Sequence, residues 1–209
     1  MHNEKELTKT GTTTLGLICK DAVILAADRK STMGYLVANK NVEKILRIDE
    51  KMAMTTAGLV GDAQALERII KAELALYDLQ EERKPSVKAA AYLLANILYQ
   101  RRFYPYWVQL LVGGFDTAPR LYSFDASGSI QEESDFFSTG SGSPYALGVL
   151  EALYKPVIDI EEGKRLAARA VKSATERDIA SGGTGIDLVV ITKDGYAKLT
   201  DKKVEELLK

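Results

Sequence analysis

The chain has 209 residues, 46% of them hydrophobic, with 28 Lys and Arg against 29 Asp and Glu for a formal charge of −1. That supplies one core of ordinary depth, and the scattered charges form neither a basic stripe nor an acidic tail, which argues against nucleic acid as a partner. The single cysteine, Cys19, cannot make an internal disulfide, and the single histidine, His2, sits in a polar leader, which argues against His-based triads and His- or Cys-ligated metal sites. The leader "MHNEKELTKTG" lacks the apolar core of a secretory signal, and no run approaches the ~18 apolar residues of a membrane span, so the chain reads as cytoplasmic with no membrane partner.

Beyond the leader, "TTTLGLICK" and "AVILAAD" are rich in β-branched and apolar residues and read as a hairpin turning at Lys20-Asp21. Cys19 falls inside that run and reads as a small buried hydrophobe. "VEKILRI" and "KMAMTTAG" make a second hairpin with Asp49 and Glu50 at its bend. After Gly58 the period becomes helical: Leu66, Ile70, Leu74 and Tyr77 stripe one face, with Glu67, Arg68, Lys71 and Asp78 on the other. "ERKP" ends that helix, and Val87, Ala91, Leu94 and Leu98 mark a second one running to about Arg102.

"WVQLLVGGFD" and "RLYSFDASG" then form a hairpin around "TAP", and "SIQEES" and "DFFSTG" are expected to continue the same sheet. Ser143 and Pro144 open a third helix through Tyr154. Asp159 and Glu162 have the spacing of a capping box at the start of a fourth, through Asp178. "IDLVVIT", "KDG" and "YAKLT" close with a hairpin, followed by the short polar helix "DKKVEELLK".

Hairpins imply antiparallel sheets, and strands such as "AVILAA" and "LVVI" are apolar on both faces, so each sheet must be covered twice. The expected fold is α+β, a four-layer αββα sandwich of two antiparallel sheets flanked by helix pairs. No repeat or linker interrupts it, so residues 12–209 are expected to form a single domain.

"GTTTLGL", "AADRKSTMG", "VEKILRI", "TTAGLVGDAQAL", "VGGFD", "STGSGSPYALGVLE" and "RDIASGG" occur in that order between Gly11 and about Leu199. Together they resemble the catalytic β subunit of the archaeal-type proteasome core particle, a threonine peptidase among the N-terminal nucleophile hydrolases; each piece is weak alone, whereas seven in order are specific. The resemblance implies a propeptide, residues 1–11, removed by autocleavage between Gly11 and Thr12. Thr12 then becomes the nucleophile, and its freed α-amine, with an ordinary pKa of about 7.7 to 8.0, serves as the base that the missing histidine cannot supply. Gly11 suits the cut because a residue without Cβ leaves the approach to its carbonyl open.

The same resemblance assigns Asp28 and Lys44 to a carboxylate and ammonium beside the nucleophile, Gly58 to an oxyanion donor, and Ser141, Asp178 and Ser181 to polar groups that orient the amine. Gly58 stands where a strand yields to a helix, a junction at which backbone N–H groups are expected to be unpaired. Structural readings stand beside these. Thr-Thr-Thr is ordinary strand composition, Lys40 and Glu43 match Lys44 by composition, and Asp28–Lys44 would serve equally as a strand-end salt bridge. Gly58 suits a turn, Ser141 a Gly/Ser turn, and Asp178 with Ser181 a helix C-terminal cap before Gly182-Gly183.

Ser31, Thr32, Val42, Thr56, Val60 and Gln64 match the substrate-binding pocket of the family. Since none is charged, the pocket is expected to favour cleavage after large apolar residues, whose burial gains roughly 1.5 to 3 kcal/mol. The resemblance calls for no metal and no cofactor. Its implied partners are proteasome α subunits and further β subunits in stacked seven-membered rings, unfolded polypeptide substrates, and a regulatory ATPase acting through the α rings. Two alternatives share the fold: a non-catalytic structural ring subunit, and another N-terminal nucleophile amidohydrolase.

Overall fold

Strands with apolar residues on both faces need two covering layers, and the chain provides them. A computed structural model describes residues 11–209; the leader before Gly11, with His2, lies outside the described residues. The chain runs β1 (Thr14–Cys19), β2 (Ala22–Asp28), β3 (Ser31–Met33), β4 (Leu36–Asn39), β5 (Ile45–Asp49) and β6 (Met52–Gly58) into helices α1 (Val60–Glu81) and α2 (Val87–Gln100). It continues as β7 (Val108–Phe115), β8 (Pro119–Phe124), β9 (Ile130–Glu133) and β10 (Phe136–Thr139), then α3 (Ser143–Leu153), α4 (Ile160–Arg177), β11 (Ile186–Thr192), β12 (Gly195–Lys198) and α5 (Asp201–Leu207).

Two five-stranded antiparallel sheets result, ordered β10-β1-β2-β11-β12 and β5-β6-β7-β8-β9. Residue alternation assigns each side chain to a layer. From β2, Ala22, Ile24 and Ala26 join the core beneath α3 and α4, while Val23, Leu25 and Ala27 enter the core between the sheets. From β7, Leu110 and Val112 face α1 and α2, and Leu111 faces the opposite sheet. This is the expected four-layer αββα arrangement, with three stacked apolar cores.

The helices keep the faces their periodicity predicts. Ala63, Leu66, Ile70 and Leu74 are buried on α1, and Val87, Ala91, Leu94 and Leu98 on α2. The Asp159 carboxylate accepts from the Glu162 N–H at 2.8 Å, which caps α4.

Two features depart from expectation. β9 continues the second sheet, but β10 crosses to the first and pairs with β1, Thr14 opposite Thr139. Burial draws it there: Phe136 meets Tyr154 edge-to-face at 5.1 Å in the core under α3 and α4, and the Ser138 hydroxyl donates to the Thr14 carbonyl at 2.8 Å. The second is an unforeseen small hairpin, β3 with β4, which turns on Gly34 at φ 59° and leaves all of β4 exposed. Its apolar residues do not alternate against a core, so no period marks it.

Candidate active site

The candidate residues converge at the mouth between the two sheets. Thr12, Thr13 and Thr14 lead into β1 and are all buried. Asp28 ends β2 directly beside them: Asp28 N–H donates to the Thr13 carbonyl at 3.1 Å, and Thr13 N–H donates to Asp28 Oδ1 at 2.8 Å. The fully buried carboxylate takes three more donors, Lys44 Nζ on Oδ1 at 2.7 Å and the N–H groups of Gly182 and Lys30 on Oδ2 at 2.8 and 3.1 Å. A buried carboxylate without such donors would be costly, and four of them hold it rigidly.

Lys44 is 4% exposed and also donates to the Lys30 carbonyl at 2.6 Å. Burial pulls its ammonium below the ordinary lysine pKa, against the opposing charge and hydrogen bond of Asp28. This buried pair excludes the exposed salt bridge that strand-end composition equally allowed. Among the three residues that composition left equivalent, Lys40 and Glu43 take other roles: the Lys40 carbonyl accepts from Thr184 N–H, and Glu43 accepts from Lys198 Nζ at 2.8 Å.

A second set of polar groups meets Thr12 from the α3 and α4 side. Gly11 is joined to Thr12, so the Thr12 nitrogen is an amide, and it donates to Ser141 Oγ at 3.2 Å. Ser141 Oγ and Ser181 Oγ both donate to Asp178 Oδ2 at 2.6 Å, and Ser181 Oγ lies 2.6 Å from Thr13 Oγ1. Asp178 is also the C-terminal cap of α4, so one residue both ends the helix and accepts the two hydroxyls beside Thr12. The Thr12 carbonyl accepts from Gly142 N–H at 3.2 Å, and a Cβ on Gly140 would come within 2.2 Å of that oxygen.

Gly11 is buried, and its N–H donates to Thr32 Oγ1 at 3.0 Å. A Cβ there would stand 1.7 Å from the Ala180 Cβ, so backbone contact with the "RDIASGG" loop demands glycine at this position. Gly58 has φ +127°, and a Cβ would meet the Trp107 carbonyl at 2.0 Å. One amide of this junction is already engaged, contrary to the expectation of unpaired groups: Leu59 N–H donates to the Trp107 carbonyl at 2.9 Å.

A cavity of about 270 Å³ opens beside Gly11, Thr12, Lys44 and Gly58. Ser31, Val42, Thr56, Val60 and Gln64 line it as expected; Thr32 does not, being turned to the Gly11 amide. The expected neutral wall is corrected by two carboxylates, Glu43 and Glu67, which line the cavity together with Leu46 and Ala63. Glu67 lies one helical turn beyond Ala63 on α1, a placement that i, i+4 spacing could have signalled. Thr13, Lys30 and Gly182 were also missed, and they act largely through backbone atoms that leave no trace in residue type. Cys19 stands apart under Gly163, its thiol pushed up to about 12 by burial, an inert core residue.

A four-layer αββα sandwich with a polar site at the leading end of β1, between the sheets, is the architecture of the N-terminal nucleophile hydrolases. A family model described as "Proteasome subunit" matches residues 8–191. Over 199 residues the chain is 54% identical to a protein of Archaeoglobus profundus named "Proteasome subunit beta", covering 95% of this chain and 92% of the relative. It is 56% identical over 185 residues to "Proteasome subunit beta 2" of Ignicoccus hospitalis, covering 88% of this chain and 86% of that one, and 50% identical over 203 residues to a "Proteasome subunit beta" of Methanocaldococcus vulcanius, covering 96% and 91%. The chain belongs to the proteasome subunit family. No helix among the described residues is long and apolar enough to cross a membrane.

Proposed function

We propose that this chain is a catalytic β subunit, a threonine endopeptidase that cuts unfolded polypeptides through an ester on Thr12. The observation that carries this reading is the seat of the Thr12 nitrogen, held by Ser141 and backed by Asp178 and Ser181, on a buried residue at the lip of the cavity. Cleavage after Gly11 turns that amide into an amine at a spot already furnished to orient it.

The free amine takes the Thr12 hydroxyl proton as the oxygen attacks the substrate carbonyl, directly or through a water. The carbonyl oxygen gains negative charge beside the Gly58 backbone, while the Lys44 ammonium, anchored by Asp28, stabilises the charge developing on the threonine oxygen. The amine returns its proton to the departing nitrogen, leaving an acyl ester on Thr12. A water, deprotonated by the same amine, then releases the acyl group.

Cleavage after large apolar residues remains the favoured specificity despite the two carboxylates. Glu43 is bonded to Lys198 at 2.8 Å and Glu67 to Lys71 at 2.6 Å, so each already has a cationic partner. Val42, Leu46, Val60 and Ala63 supply apolar wall. Membership of the proteasome subunit family supports assembly with other proteasome subunits, and stacked seven-membered rings with α subunits, a regulatory ATPase and a cytoplasmic setting are part of the same proposal.

The test is turnover of fluorogenic peptides ending in Tyr, Leu, Arg or Glu by the chain alone and with α subunits, alongside Thr12→Ala. Turnover of the Tyr and Leu peptides, abolished by Thr12→Ala, is the expected result. Activity surviving Thr12→Ala would refute the nucleophile, and faster cleavage of the Arg peptide would refute the pocket assignment alone. An assembled particle without any turnover would favour the structural-subunit alternative.

A further inference from the structure

Gly58 is shared by two cavities. One is the pocket beside Gly11 and Thr12; the other, of about 540 Å³, lies on the far side of Gly58 between Leu59, Tyr106, Trp107 and Ala126, and its wall includes Gly140 and Ser141. That wall touches the nucleophile directly, since Ser141 Oγ is 3.2 Å from the Thr12 nitrogen and Gly140 packs on the Thr12 carbonyl. Gly11, the residue on the acyl side of the chain's own cut, lines the first cavity and not the second. The acyl half of a substrate therefore belongs to the first cavity, and a peptide crossing Gly58 must continue into the second.

The second cavity carries a preformed apolar platform. The Trp107 backbone is pinned on both sides, its N–H donating to Asp62 Oδ2 at 2.8 Å and its carbonyl accepting from Leu59 N–H at 2.9 Å. Trp107 is nevertheless 59% exposed, a large apolar residue on a backbone held at both its N–H and its carbonyl. Tyr106 packs its inner side on the core beneath α1 and α2.

We propose that this second cavity is the leaving-side subsite, where Trp107 and Tyr106 receive apolar or aromatic side chains of the residues that follow the cut. The occupant is the extended substrate segment downstream of the scissile bond. Continuity with Thr12 through Ser141 and Gly140 selects it over an unrelated ligand. The subsite rests on the threonine-peptidase reading, and it makes the enzyme selective on both sides of the cut.

The experiment uses the assembled particle and two internally quenched peptides, identical up to the cut and carrying Phe-Leu or Gly-Ser after it. Wild type is expected to favour the Phe-Leu peptide by about tenfold in kcat/KM, the scale of an apolar pocket's discrimination. Trp107→Ala should bring the ratio to about twofold or less, and Trp107→Phe should keep most of it. A wild-type ratio near one overturns the inference without any variant, as does a preference that Trp107→Ala leaves unmoved. A peptide vinyl sulfone, which occupies the acyl side alone, probes the underlying reading in wild type. Absence of label on Thr12 would defeat the peptidase mechanism, whereas normal labelling with no leaving-side preference would defeat only the subsite.

Discussion

In the proposed mechanism Lys44 must be charged to act on the threonine oxygen, yet burial works against its charge, and Asp28 is what opposes that loss. The sign of the pH effect follows. Between its lowered folded pKa and the ordinary value of 10.5, the folded chain has released the Lys44 proton while the unfolded chain keeps it, so this group makes stability rise with pH. Turnover should fall over that same interval, since the ammonium is lost. Parallel pH profiles of kcat/KM and of Tm check this, and turnover that holds steady to the ordinary lysine value would remove Lys44 from the mechanism. On the acid side, activity should rise with pH as the freed Thr12 amine loses its proton, because only the neutral amine can accept the hydroxyl proton. Tyr122 offers a separate residue-scale test. Its buried hydroxyl makes no well-formed hydrogen bond among the described residues but interacts with the Glu132–Arg120 pair, so Tyr122→Phe is expected to change stability by less than about 1 kcal/mol in denaturant unfolding; a larger loss would show that the pair holds the hydroxyl. Thr12 was singled out by the family motifs around it and Asp28 also by ending an apolar run, but Lys30 and Gly182 contribute a carbonyl and an amide, which every residue has.

At the scale of elements, a chain of charges ties the C-terminal helix to the site. Arg29, next to Asp28, donates through Nε and Nη2 to the buried Asp187 of β11 at 3.1 and 2.9 Å, and through Nη1 to Asp201 of α5 at 3.1 Å. Lys198 on β12 reaches Asp187 at 3.1 Å and Glu43, beside Lys44, at 2.8 Å. The Asp201 and Asp187 carboxylates hold the guanidinium above its usual range. Arg29→Met leaves Asp187 buried with Lys198 alone, so it should cost about 2 to 3 kcal/mol, somewhat less than loss of a sole buried partner. Asp201→Ala, at the solvent-screened end, should cost about 1 kcal/mol or less. Equal losses from both variants would show that α5 docks through Arg29 and that burial of Asp187 matters little. The helices and hairpins themselves were readable from period and turn residues, and the Asp159 cap was found at its expected place. The β3–β4 hairpin was not, because an exposed pair has no buried face to impose alternation.

Over the whole molecule, the site depends on closure of the sandwich. Thr12 leads into β1 and Asp28 ends β2 of the first sheet, Lys44 precedes β5 and Gly58 ends β6 of the second, and Ser141, Asp178 and Ser181 border the helices over the first. Since one chain supplies every one of these groups, the assembled particle is expected to contain chains that begin at Thr12, detected as an intact mass lacking residues 1–11. Thr12→Ala should keep the full-length mass. A fully active particle with uncut chains would rule out the amine as base.

What the sequence determined by itself is local: strand against helix, and the two-sided burial that forces four layers, both written in the spacing of neighbouring residues. Tertiary structure decided the rest. β10 joined β1 because Phe136 had to be buried against Tyr154, Lys44 took the place beside Asp28 that Lys40 could equally have filled, and Glu43 and Glu67 entered a pocket expected to be neutral. Each of those outcomes pairs residues far apart in the chain, and the energy that selects them is the desolvation of particular groups against particular neighbours, which exists only once the sheets have packed.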